Sequence, residues 1–494
     1  MDNARRGLVL VTLIGTFNGG AGRAFAENRP LVWAADLAGG EPYVFANPDK
    51  PGEVLGFEAD LRDALSRELG RPIIFKQYPF DNLPLGLERR DFDLAMNGLE
   101  ITPERRESAL FTRPYYVYRL GLVVRADDSR FSCLDDVRAA GAVVGTLRGS
   151  VAEQLLVQRS IRRRAFESQD QIYLDLVHKR IDAVYLDTMI NATYLEKAEF
   201  AGLRPVGAAE DKGYYGIAVR KDDEALKRDL DAALERLIGS GELRRIYKKW
   251  YIWNDDQYEL GQAKVIDAPT EKWTAARYLP VLVSGAWMTV KLSVVSFAIA
   301  MALGLAIALM RLYGPVPLKV LAVAYIEFFR GIPVFLLLTF MYYALPIIFS
   351  SIGLKGWGNL DAFHVAVLGL GINYAAYEAE IYRAGIGSVP AGQWEAAASL
   401  GMSRPLTFRR IILPQAVKFI LPPMTSDFVA LFKDTSIVSI LAVYELTNQY
   451  QYVSKTSMKY LEVGLATAAL YLIMSVPLGY LSRYLEKRWG HATV

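Results

Sequence analysis

The sequence predicts a chain of two parts, an α/β region that lies in water followed by an all-α region that lies in a membrane. Of the 494 residues, those from about 27 to 272 alternate short β-branched or aromatic runs with helical patterns, as in sheets covered by helices. From Tyr278 onward the chain instead carries repeated apolar stretches of about 20 residues or more, the length that a bilayer core requires. The two regions are therefore expected to fold in different solvents.

The first 26 residues have the order of features found in secretory signals. Arg5 and Arg6 precede an apolar run at positions 7–17, and the small residues Ala24 and Ala26 follow it. This order predicts a signal peptide that is cleaved after Ala26. The apolar run is short for a membrane span, but retention as an uncleaved anchor is the alternative. In either case we expect the region that follows to lie outside the cytoplasm.

Composition and motif content exclude several classes of function. The formal net charge is only +3 and no Lys/Arg block alternates with aromatic residues, so no nucleic-acid partner is expected. A single cysteine, Cys133, excludes an intrachain disulfide and a zinc cluster, so we expect a buried or idle thiol and no metal. The motif G-x-x-x-x-G-K-S/T is absent, so the chain is not expected to bind ATP or another cofactor itself.

A short helix is predicted directly after the strand-like run FDLAMNG at positions 92–98. Thr102 suits the helix N-cap, Pro103 the first helical position, and Glu104 the positive end of the helix dipole. The exposed amides of a helix start, together with the guanidinium of Arg105, can form a binding site for a carboxylate. From these residues alone, a solvated surface arginine is the alternative.

Several stretches between positions 30 and 252 share a distinctive pattern. The sequence T-x-x-R precedes FTRPYYV at positions 111–117, and HKRIDAVYLD and GYYGIAVRKDD follow later in the chain. These stretches resemble the bilobed solute-binding proteins (periplasmic binding proteins, type II) of polar amino acid uptake. The resemblance implies an amino acid binding domain at 27–253. It also implies two lobes, 30–122 plus 214–252 and 126–210, which are joined by crossing strands and close over one free amino acid.

The resemblance further implies which residues hold the ligand. Arg105 would bind the α-carboxylate, and Asp187 on the opposite lobe would bind the α-ammonium. An arginine and an aspartate on opposite lobes are both satisfied only when the cleft closes, so ligand binding would select the closed form. Phe80 would cover the ligand side chain. The other residues assigned to the ligand site are Asp36, Gly98, Glu100, Thr102 and Ser150.

Glu100 departs from the family pattern, in which a serine or threonine hydroxyl is common at this position. An acidic group that faces the cleft would attract a cationic ligand side chain, which favours basic amino acids. Alternatively, Glu100 pairs with Arg105 or Arg106 and never meets the ligand. A second departure is the turn LAGGEPYVF at positions 37–45, which lacks the aromatic residue often found before Pro42.

A linker is predicted at about 254–274 and a membrane region at 275–494. Hydropathy and length predict about five membrane spans in that region. The fourth is interrupted by prolines and charges, among them Pro422 and Lys433, as in helices that are buried or line a cavity at membrane depth. The predicted spans are 279–310, 320–349, 362–385, 411–446 and 460–482.

The number of spans predicts the sidedness of the membrane region. If the binding domain is exported, the first span runs inward and the loop after the third span lies in the cytoplasm. The positive-inside rule agrees, because arginine and lysine residues are concentrated on that side. They are Arg311, Lys319, Arg404, Arg409, Arg410, Arg483, Lys487 and Arg488. An odd number of spans then leaves the C-terminus in the cytoplasm, as part of a multi-pass inner membrane protein.

The loop after the third predicted span contains EAAASLGMSRPLTFRRIILP at positions 395–414, which fits E-A-A-x3-G-x9-I-x-L-P at every specified position. This pattern resembles the cytoplasmic signature of type I ABC importer permeases, and the surrounding region resembles their amino acid subset. The resemblance implies a coupling helix near 388–401 that docks in a groove on a separate ATPase subunit, which binds the ATP. Ser388 is expected to cap this helix and Pro390 to start it. The residues assigned to coupling are Gln393, Glu395, Ala396, Ala397 and Gly401.

Two acidic residues of the membrane region are candidates for a substrate pathway. Glu378 and Asp427 lie within apolar spans, where a charge is costly unless it is paired or functional. Five spans in the lipid bilayer are few for an enclosed pathway, so a second permease copy is expected, most simply as a two-fold homodimer.

The expected function is the import of a polar amino acid, with a preference for basic ones, by a chain that joins a binding protein to its permease and is not itself an enzyme. An amino-acid-gated ion channel or sensor is the alternative, because some channels carry the same bilobed receptor. In those channels the receptor is split by the pore, whereas here it is contiguous. An enzyme is the third class, but the three histidines form no Ser-His-Asp or metal-ligand spacing.

Overall fold

The computed structural model describes residues 29–37, 40–261, 273–354 and 360–489. The predicted signal at 1–26 lies outside the described residues, as does the larger part of the predicted linker. The part of the linker within them, Asp255–Gly261, forms a 3-10 helix whose Gln257 hydrogen-bonds the backbone of Val117. This segment therefore packs on the binding region.

The binding region contains strands and helices in alternation. Its strands are β1 (Leu31–Ala35), β2 (Phe45–Ala46), β3 (Val54–Leu55), β4 (Ile73–Gln77), β5 (Leu94–Ala95), β6 (Ala109–Phe111), β7 (Tyr116–Arg125), β8 (Val144–Leu147), β9 (Arg163–Phe166), β10 (Ala183–Asp187), β11 (Leu203–Tyr215) and β12 (Ala218–Arg220). Its helices are α1 (Phe57–Leu69), α2 (Leu83–Glu88), α3 (Pro103–Ser108), α4 (Leu134–Ala139), α5 (Val151–Gln158), α6 (Gln169–Val177), α7 (Thr188–Leu195), α8 (Glu224–Gly239) and α9 (Glu242–Lys249).

The first lobe is built on a five-stranded sheet with the strand order β4-β1-β5-β12-β6. β1 pairs in parallel with β4 and β5, and β12 pairs antiparallel with β5 and β6. Almost every residue of β1 is buried, as expected for a strand with parallel neighbours that is covered on both faces. Because β1 and β5 end at the same edge of the sheet, Asp36 and Asn97 meet there, and the Asp36 amide donates to Asn97 Oδ1 at 2.8 Å.

The second lobe is built on a five-stranded sheet with the strand order β11-β7-β10-β8-β9. β8 pairs in parallel with β9 and β10, whereas β7 pairs antiparallel with β10 and β11. Gly145 in β8 is required by packing, since a Cβ there would stand 2.4 Å from Ile181 Cδ1. The parallel part of the sheet places the loops after β8 and β10 at one edge, which is where ligand sites form in α/β sheets.

Two chain crossings connect the lobes. β7 and β11 pair from Arg125 and Leu203 at one end to Tyr116 and Tyr215 at the other, and each leads directly to a strand of the first sheet. The lobe boundaries predicted at 122 and 214 fall inside β7 and β11, because these strands belong to the second sheet along their whole length.

The membrane region is helical. Its helices are α10 (Ala275–Tyr313), α11 (Val316–Gly331), α12 (Val334–Thr339), α13 (Leu345–Ser351), α14 (Ala362–Gly387), α15 (Ala391–Ser399), α16 (Arg404–Thr407), α17 (Leu413–Asp434), α18 (Leu446–Ser457) and α19 (Tyr460–Trp489). Among the described residues, α10 and α19 are long and apolar enough to cross a membrane, and the pair α11 and α12–α13 is a third candidate if it counts as one bent span. α14 and α17 overlap the third and fourth predicted spans but carry charged residues.

The second predicted span, 320–349, is wrong as a single helix. The two apolar segments Val316–Gly331 and Val334–Phe349 are bent by 102° with respect to each other. The break lies at Ile332, which is extended, and Pro333. A proline disfavours helical backbone at the residue before it, so the helix ends at Gly331.

The fourth predicted span, 411–446, is also wrong in extent. α17 ends at Asp434, a 3-10 helix follows at Thr435–Leu441, and Ala442 takes a left-handed conformation with φ of 55°. A separate helix, α18, then begins at Leu446, and the Glu445 carboxylate caps it by accepting from the Asn448 amide at 2.6 Å. Hydropathy missed α18 because its sequence LTNQYQYVSKTS is polar.

The predicted coupling helix is shorter than 388–401. Ser388 does not cap it but ends α14, since its amide donates to the Ala384 carbonyl at 2.9 Å. α15 covers Ala391–Ser399 after Pro390, as predicted for a proline at a helix start. The predicted stop at Gly401 is confirmed, because Gly401 has φ of 75° and its amide donates to the Ala398 carbonyl at 2.9 Å.

Gly56, directly before α1, provides a test of the first lobe's packing. Its φ is 129°, and a Cβ there would stand 2.0 Å from the Tyr43 carbonyl oxygen. We expect Gly56→Ala to destabilise the fold by about 2 kcal/mol or more and to lower the melting temperature of the full chain in detergent by roughly 4 °C or more. The matched control is Gly239→Ala, where a Cβ meets nothing within 4 Å. Equal melting temperatures for the two variants would contradict this account.

Candidate ligand-binding site and its contact with the membrane region

A cavity of about 640 Å³, here called the cleft, lies between the two lobes and the membrane region. The structure brings most of the predicted ligand-binding residues to this one cavity. They are Asp36, Phe80, Gly98, Glu100, Ser150 and Asp187. Arg105 lines a small adjoining pocket together with Phe80 and Gly149.

Arg105 is held at the start of a capped helix. The Thr102 hydroxyl oxygen accepts from the Arg105 amide at 3.3 Å, so Thr102 serves the site as the N-cap of α3, as predicted. The Arg105 guanidinium is buried and donates to the Gly149 carbonyl of the second lobe at 3.3 Å. It also lies 5.7 Å from the centre of the Phe80 ring. A solvated surface arginine is therefore excluded.

Glu100 is the side-chain partner of Arg105. The Glu100 carboxylate accepts from Arg105 Nη1, and the Glu100 carbonyl accepts from the same atom at 3.0 Å. The second carboxylate oxygen of Glu100 accepts from the Val151 amide, at the start of α5, at 3.2 Å. Of the two interpretations of Glu100, the structure shows the pair with Arg105, and it adds a bond to the opposite lobe.

Asp187 ends β10 on the opposite side of the cleft. The Tyr43 hydroxyl of the first lobe donates to Asp187 Oδ2 at 2.9 Å, and the Tyr215 hydroxyl donates to the same oxygen. Burial, together with the nearby negative charge of Glu100, raises the pKa of Asp187 to about 7, although the two tyrosine hydroxyls oppose the rise. Sequence reasoning missed Tyr43 and Tyr215, although Tyr215 lies in the stretch GYYGIAVRKDD that carried the family pattern.

Asp36 and Phe80 form one unit of the first lobe. Asp36 Oδ2 accepts from the Phe80 amide at 2.8 Å, and Asp36 Oδ1 accepts from Gln77 Nε2 at 2.9 Å. These bonds hold the turn Phe80–Asn82 at the end of β1, so the half-buried Phe80 ring borders the cleft. Asp36 thus both lines the cleft and positions Phe80.

Gly98 and Ser150 have local partners. The Gly98 amide donates to Glu58 Oε1 at 2.6 Å, and a Cβ at Gly98 would stand 2.5 Å from the Tyr43 ring. The Ser150 hydroxyl caps α5 by accepting from the Glu153 amide at 3.2 Å, and it donates to the Leu147 carbonyl at 2.7 Å. Both residues shape the cleft, and their direct contact with a ligand stays a prediction.

The membrane region forms one wall of the cleft. The residues that it contributes come from α18 and the start of α19: Tyr450, Gln451, Ser454, Lys455 and Tyr460. Arg148 of the second lobe, whose side chain is almost completely buried, donates to Gln451 Oε1 at 2.5 Å, to Glu167 Oε1 at 2.8 Å and to the Ser439 carbonyl at 3.3 Å. Sequence reasoning missed Arg148, for which the run GTLRGS was a local signal.

Arg164 and Arg180 of the second lobe converge on one tyrosine of the membrane region. Arg180 donates to the Tyr342 carbonyl at 2.6 Å, and its guanidinium lies 4.0 Å from the centre of the Tyr342 ring. The Tyr342 hydroxyl donates to Asp175 at 2.5 Å. Asp175 also pairs with Arg180 at 3.0 Å and with Arg164 at 3.2 Å. Asp175 is fully buried, and its charge is therefore compensated by two cations.

A second contact lies at β9. The Tyr444 hydroxyl accepts from the Ala165 amide at 2.9 Å, and the Arg163 guanidinium lies 5.0 Å from the Tyr444 ring centre and 4.6 Å from that of Tyr452. Like the contacts of Arg148 and Arg180, these start from the second lobe. The second lobe is therefore joined to the membrane region by several bonds at once.

The predicted pathway residues lie in the helix bundle. Glu378 in α14 is fully buried against α10, where a Cβ at Gly304 would stand 2.7 Å from Glu378 Cβ. The Glu378 carboxylate lies beside the side chains of Tyr382 and Asp427. Asp427 in α17 borders a cavity of about 460 Å³. Other residues around this cavity are Arg330, Asn373, Tyr374, Tyr377 and Asp434.

The α15 segment presents a polar and small-residue surface. Gln393, Glu395 and Ala396 are exposed, whereas Ala397 is buried. Leu400, directly after the helix, is 80% exposed.

Comparison with known proteins identifies both regions. Residues 35–252 match the family of bacterial extracellular solute-binding proteins, family 3, and residues 285–491 match the family of binding-protein-dependent transport system inner membrane components. The glutamine transport system permease protein GlnP of Escherichia coli (strain K12) is 36% identical over 210 residues, which are 42% of this chain and 93% of GlnP. The chain belongs to the inner membrane component family. It is an amino acid ABC transporter permease fused to a solute-binding domain.

A second permease relative agrees with this assignment. The probable glutamine ABC transporter permease protein GlnM of Bacillus subtilis (strain 168) is 38% identical over 204 residues, which are 41% of this chain and 91% of GlnM. Among solved structures, an ancestral arginine-binding protein bound to glutamine is 28% identical and covers 45% of this chain and 98% of its own, with a TM-score of 0.42.

The raised pKa of Asp187 predicts a pH-dependent stability. Its pKa is about 7 in the fold against an ordinary value of 3.8, so between these values the folded chain binds more protons than the unfolded chain. The contribution of Asp187 to stability therefore falls as pH rises from about 4 to about 7. We expect Asp187→Asn to raise the melting temperature more at pH 8 than at pH 5, where Asp187 is already protonated.

The control for this measurement is Asp127→Asn, whose side chain is 71% exposed. It should change the melting temperature equally at both pH values. An Asp187→Asn variant that is less stable than the parent chain at pH 8 would contradict the prediction.

Proposed function

We propose that this chain is the receptor and permease subunit of an ATP-driven importer, which captures a polar amino acid outside the cell and passes it through the inner membrane. One observation carries the proposal: the cleft is lined by both lobes of the binding region and by α18 of the membrane region. A ligand held there touches receptor and permease at the same time. Capture and transfer therefore take place within one chain.

The ligand's charged groups have complementary partners in the cleft. Arg105 and the amides at the start of α5 suit the α-carboxylate, and Asp187 suits the α-ammonium. These groups belong to opposite lobes, so a bound amino acid would hold the cleft closed. Phe80 and Asp36 border the remaining space, which favours a side chain with an apolar stem and a cationic end. We therefore propose a basic amino acid as the preferred ligand.

The helix bundle supplies the pathway in this proposal. Asp427 borders the cavity of about 460 Å³, and the buried carboxylate of Glu378 lies beside Asp427. Two adjacent buried acidic groups suit the transient binding of a cationic substrate. A second copy of the chain would complete the pathway as a homodimer with two-fold symmetry.

Energy enters through α15. Its exposed Glu395 and Ala396, with Leu400 beyond its end, suit a shallow groove on a separate ATPase subunit, and that subunit would bind the ATP. Gln393, Ala397 and Gly401 complete this coupling segment. α15 and the C-terminus would face the cytoplasm, and the binding region would face the periplasmic or extracellular side.

A ligand screen tests the receptor role. The melting temperature of the full chain in detergent is measured with each proteinogenic amino acid. At a concentration 100-fold above Kd, a ligand adds about 2.7 kcal/mol, so arginine or lysine should raise the melting temperature by roughly 5 °C or more. Asp187→Ala should abolish the shift, whereas Asp222→Ala on the surface should preserve it. If none of the amino acids changes the melting temperature, the receptor assignment is wrong.

Cysteine accessibility tests the sidedness. Replacing Cys133, the single native cysteine, by serine leaves a background in which Gln393→Cys or Asp222→Cys is the one thiol. In intact cells, an impermeant maleimide should label Asp222→Cys at once and Gln393→Cys only after the inner membrane is opened, because the two residues lie on opposite sides. Labelling of both variants in intact cells would place them in the same compartment and refute the proposed orientation.

A further inference from the structure

The carboxylate of Glu100 lies in the position that the proposed function assigns to the ligand α-carboxylate. One oxygen accepts from Arg105 Nη1 of the first lobe, and the other accepts from the Val151 amide of the second lobe at 3.2 Å. Both side chains of the ion pair are at least 90% buried. An acidic side chain of the protein therefore occupies an anion site that is built from both lobes.

We propose that Glu100 is an internal competitor for the carboxylate site, and that it selects for ligands that carry a second cationic group. The proposal rests on the proposed function, because it assumes that an amino acid binds in the cleft. It concerns the exchange of one carboxylate for another at Arg105.

The bonds of Glu100 make its displacement from Arg105 costly in free energy. A hydrogen bond between two ionised groups is stronger than one between neutral groups, and a buried charge that loses its partner is costly. The backbone of Glu100 is fixed as well, since it forms a β-bridge with Tyr215. Glu100 therefore cannot leave by moving its backbone, and its displaced carboxylate has to turn into the cleft.

The cleft is unfavourable for a second free carboxylate. The negative charge of Glu100 already raises the pKa of Asp187, so the two groups interact across the cleft. Asp36 borders the same cavity. The cations that border it are Arg89, Arg148 and Lys455, of which Arg148 is bonded to Glu167 and Gln451.

The charge of the ligand decides whether the exchange is balanced. A neutral amino acid brings one carboxylate and one ammonium, which suffice for Arg105 and Asp187 and supply no cation to the displaced Glu100. A basic amino acid brings a second cation, which can pair with the displaced Glu100. Glu100 thus competes with the α-carboxylate of every ligand for Arg105. Only a basic ligand gains a favourable contact with the displaced Glu100.

Glu100 also links the lobes when Arg105 binds no ligand. Its bond to Arg105 lies within the first lobe, and its bond to the Val151 amide reaches the second lobe, so together they connect the lobes as a bound carboxylate would. Removal of the Glu100 charge should therefore open the ligand-free cleft and at the same time release Arg105 for the ligand.

Binding measurements on the full chain in detergent test the competition. We expect Glu100→Gln and Glu100→Ser to bind glutamine about tenfold more tightly than the parent chain, which corresponds to the loss of one charge-assisted competitor bond. The preference for arginine over glutamine should shrink in both variants. The control is Glu107→Gln, which removes the same charge from an exposed position of α3 and should leave both affinities unchanged.

Distances between the lobes test the link without any ligand. Spin labels are attached at Asp49→Cys in the first lobe and Glu196→Cys in the second, in a chain whose Cys133 is replaced by serine. Glu100→Gln should broaden the ligand-free distance distribution towards longer distances, and Glu107→Gln should not.

Two results would overturn the proposal. The first is weaker binding of both glutamine and arginine by Glu100→Gln, which would make Glu100 a direct ligand contact. The second is a distance distribution and an affinity ratio that do not change in Glu100→Gln. If the parent chain and all variants bind no amino acid, the proposed function fails, and the distance measurement alone decides whether Glu100 links the lobes.

Discussion

Charges that leave water need partners, and this requirement determines where the parts of the chain meet. In the cleft, the buried Arg105 is paired with Glu100. At the contact between the regions, the buried Asp175 is shared by Arg164 and Arg180. Each cluster also bonds a group that is distant in the sequence, the first the Val151 amide and the second Tyr342, because a buried charge is costly unless it is paired and hydrogen-bonded.

The same requirement distributes roles between the lobes. The second lobe is bonded to the membrane region through Arg148, Arg163 and Arg180. These contacts join the second lobe to the helix bundle. The first lobe continues from it through the crossings after β6 and β11. Opening of the cleft would therefore change the backbone at the crossings, while the second lobe keeps its bonds to the membrane region. α18 would then remain beside the ligand.

Local features of the fold could be predicted from the sequence with good success. The Thr102 cap and the Gly401 stop were predicted correctly, because each depends on a few adjacent residues. The bend at Pro333 also depends on a few adjacent residues, but hydropathy is averaged over the whole segment and does not report a bend. α18 was missed for a different reason: its polar residues are buried by other segments, which a scale of membrane transfer does not include.

Within the candidate site, the residue types were predictable and their partners were not. The sequence by itself determined that one region folds in water and the other in lipid, and that an arginine follows a helix cap beside a strand end, since these features lie within short windows. The tertiary structure alone decided that Glu100 meets the Val151 amide and that Arg148 meets Gln451. The first contact spans 51 positions and the second 303, and no local pattern records which distant group will hydrogen-bond a buried charge.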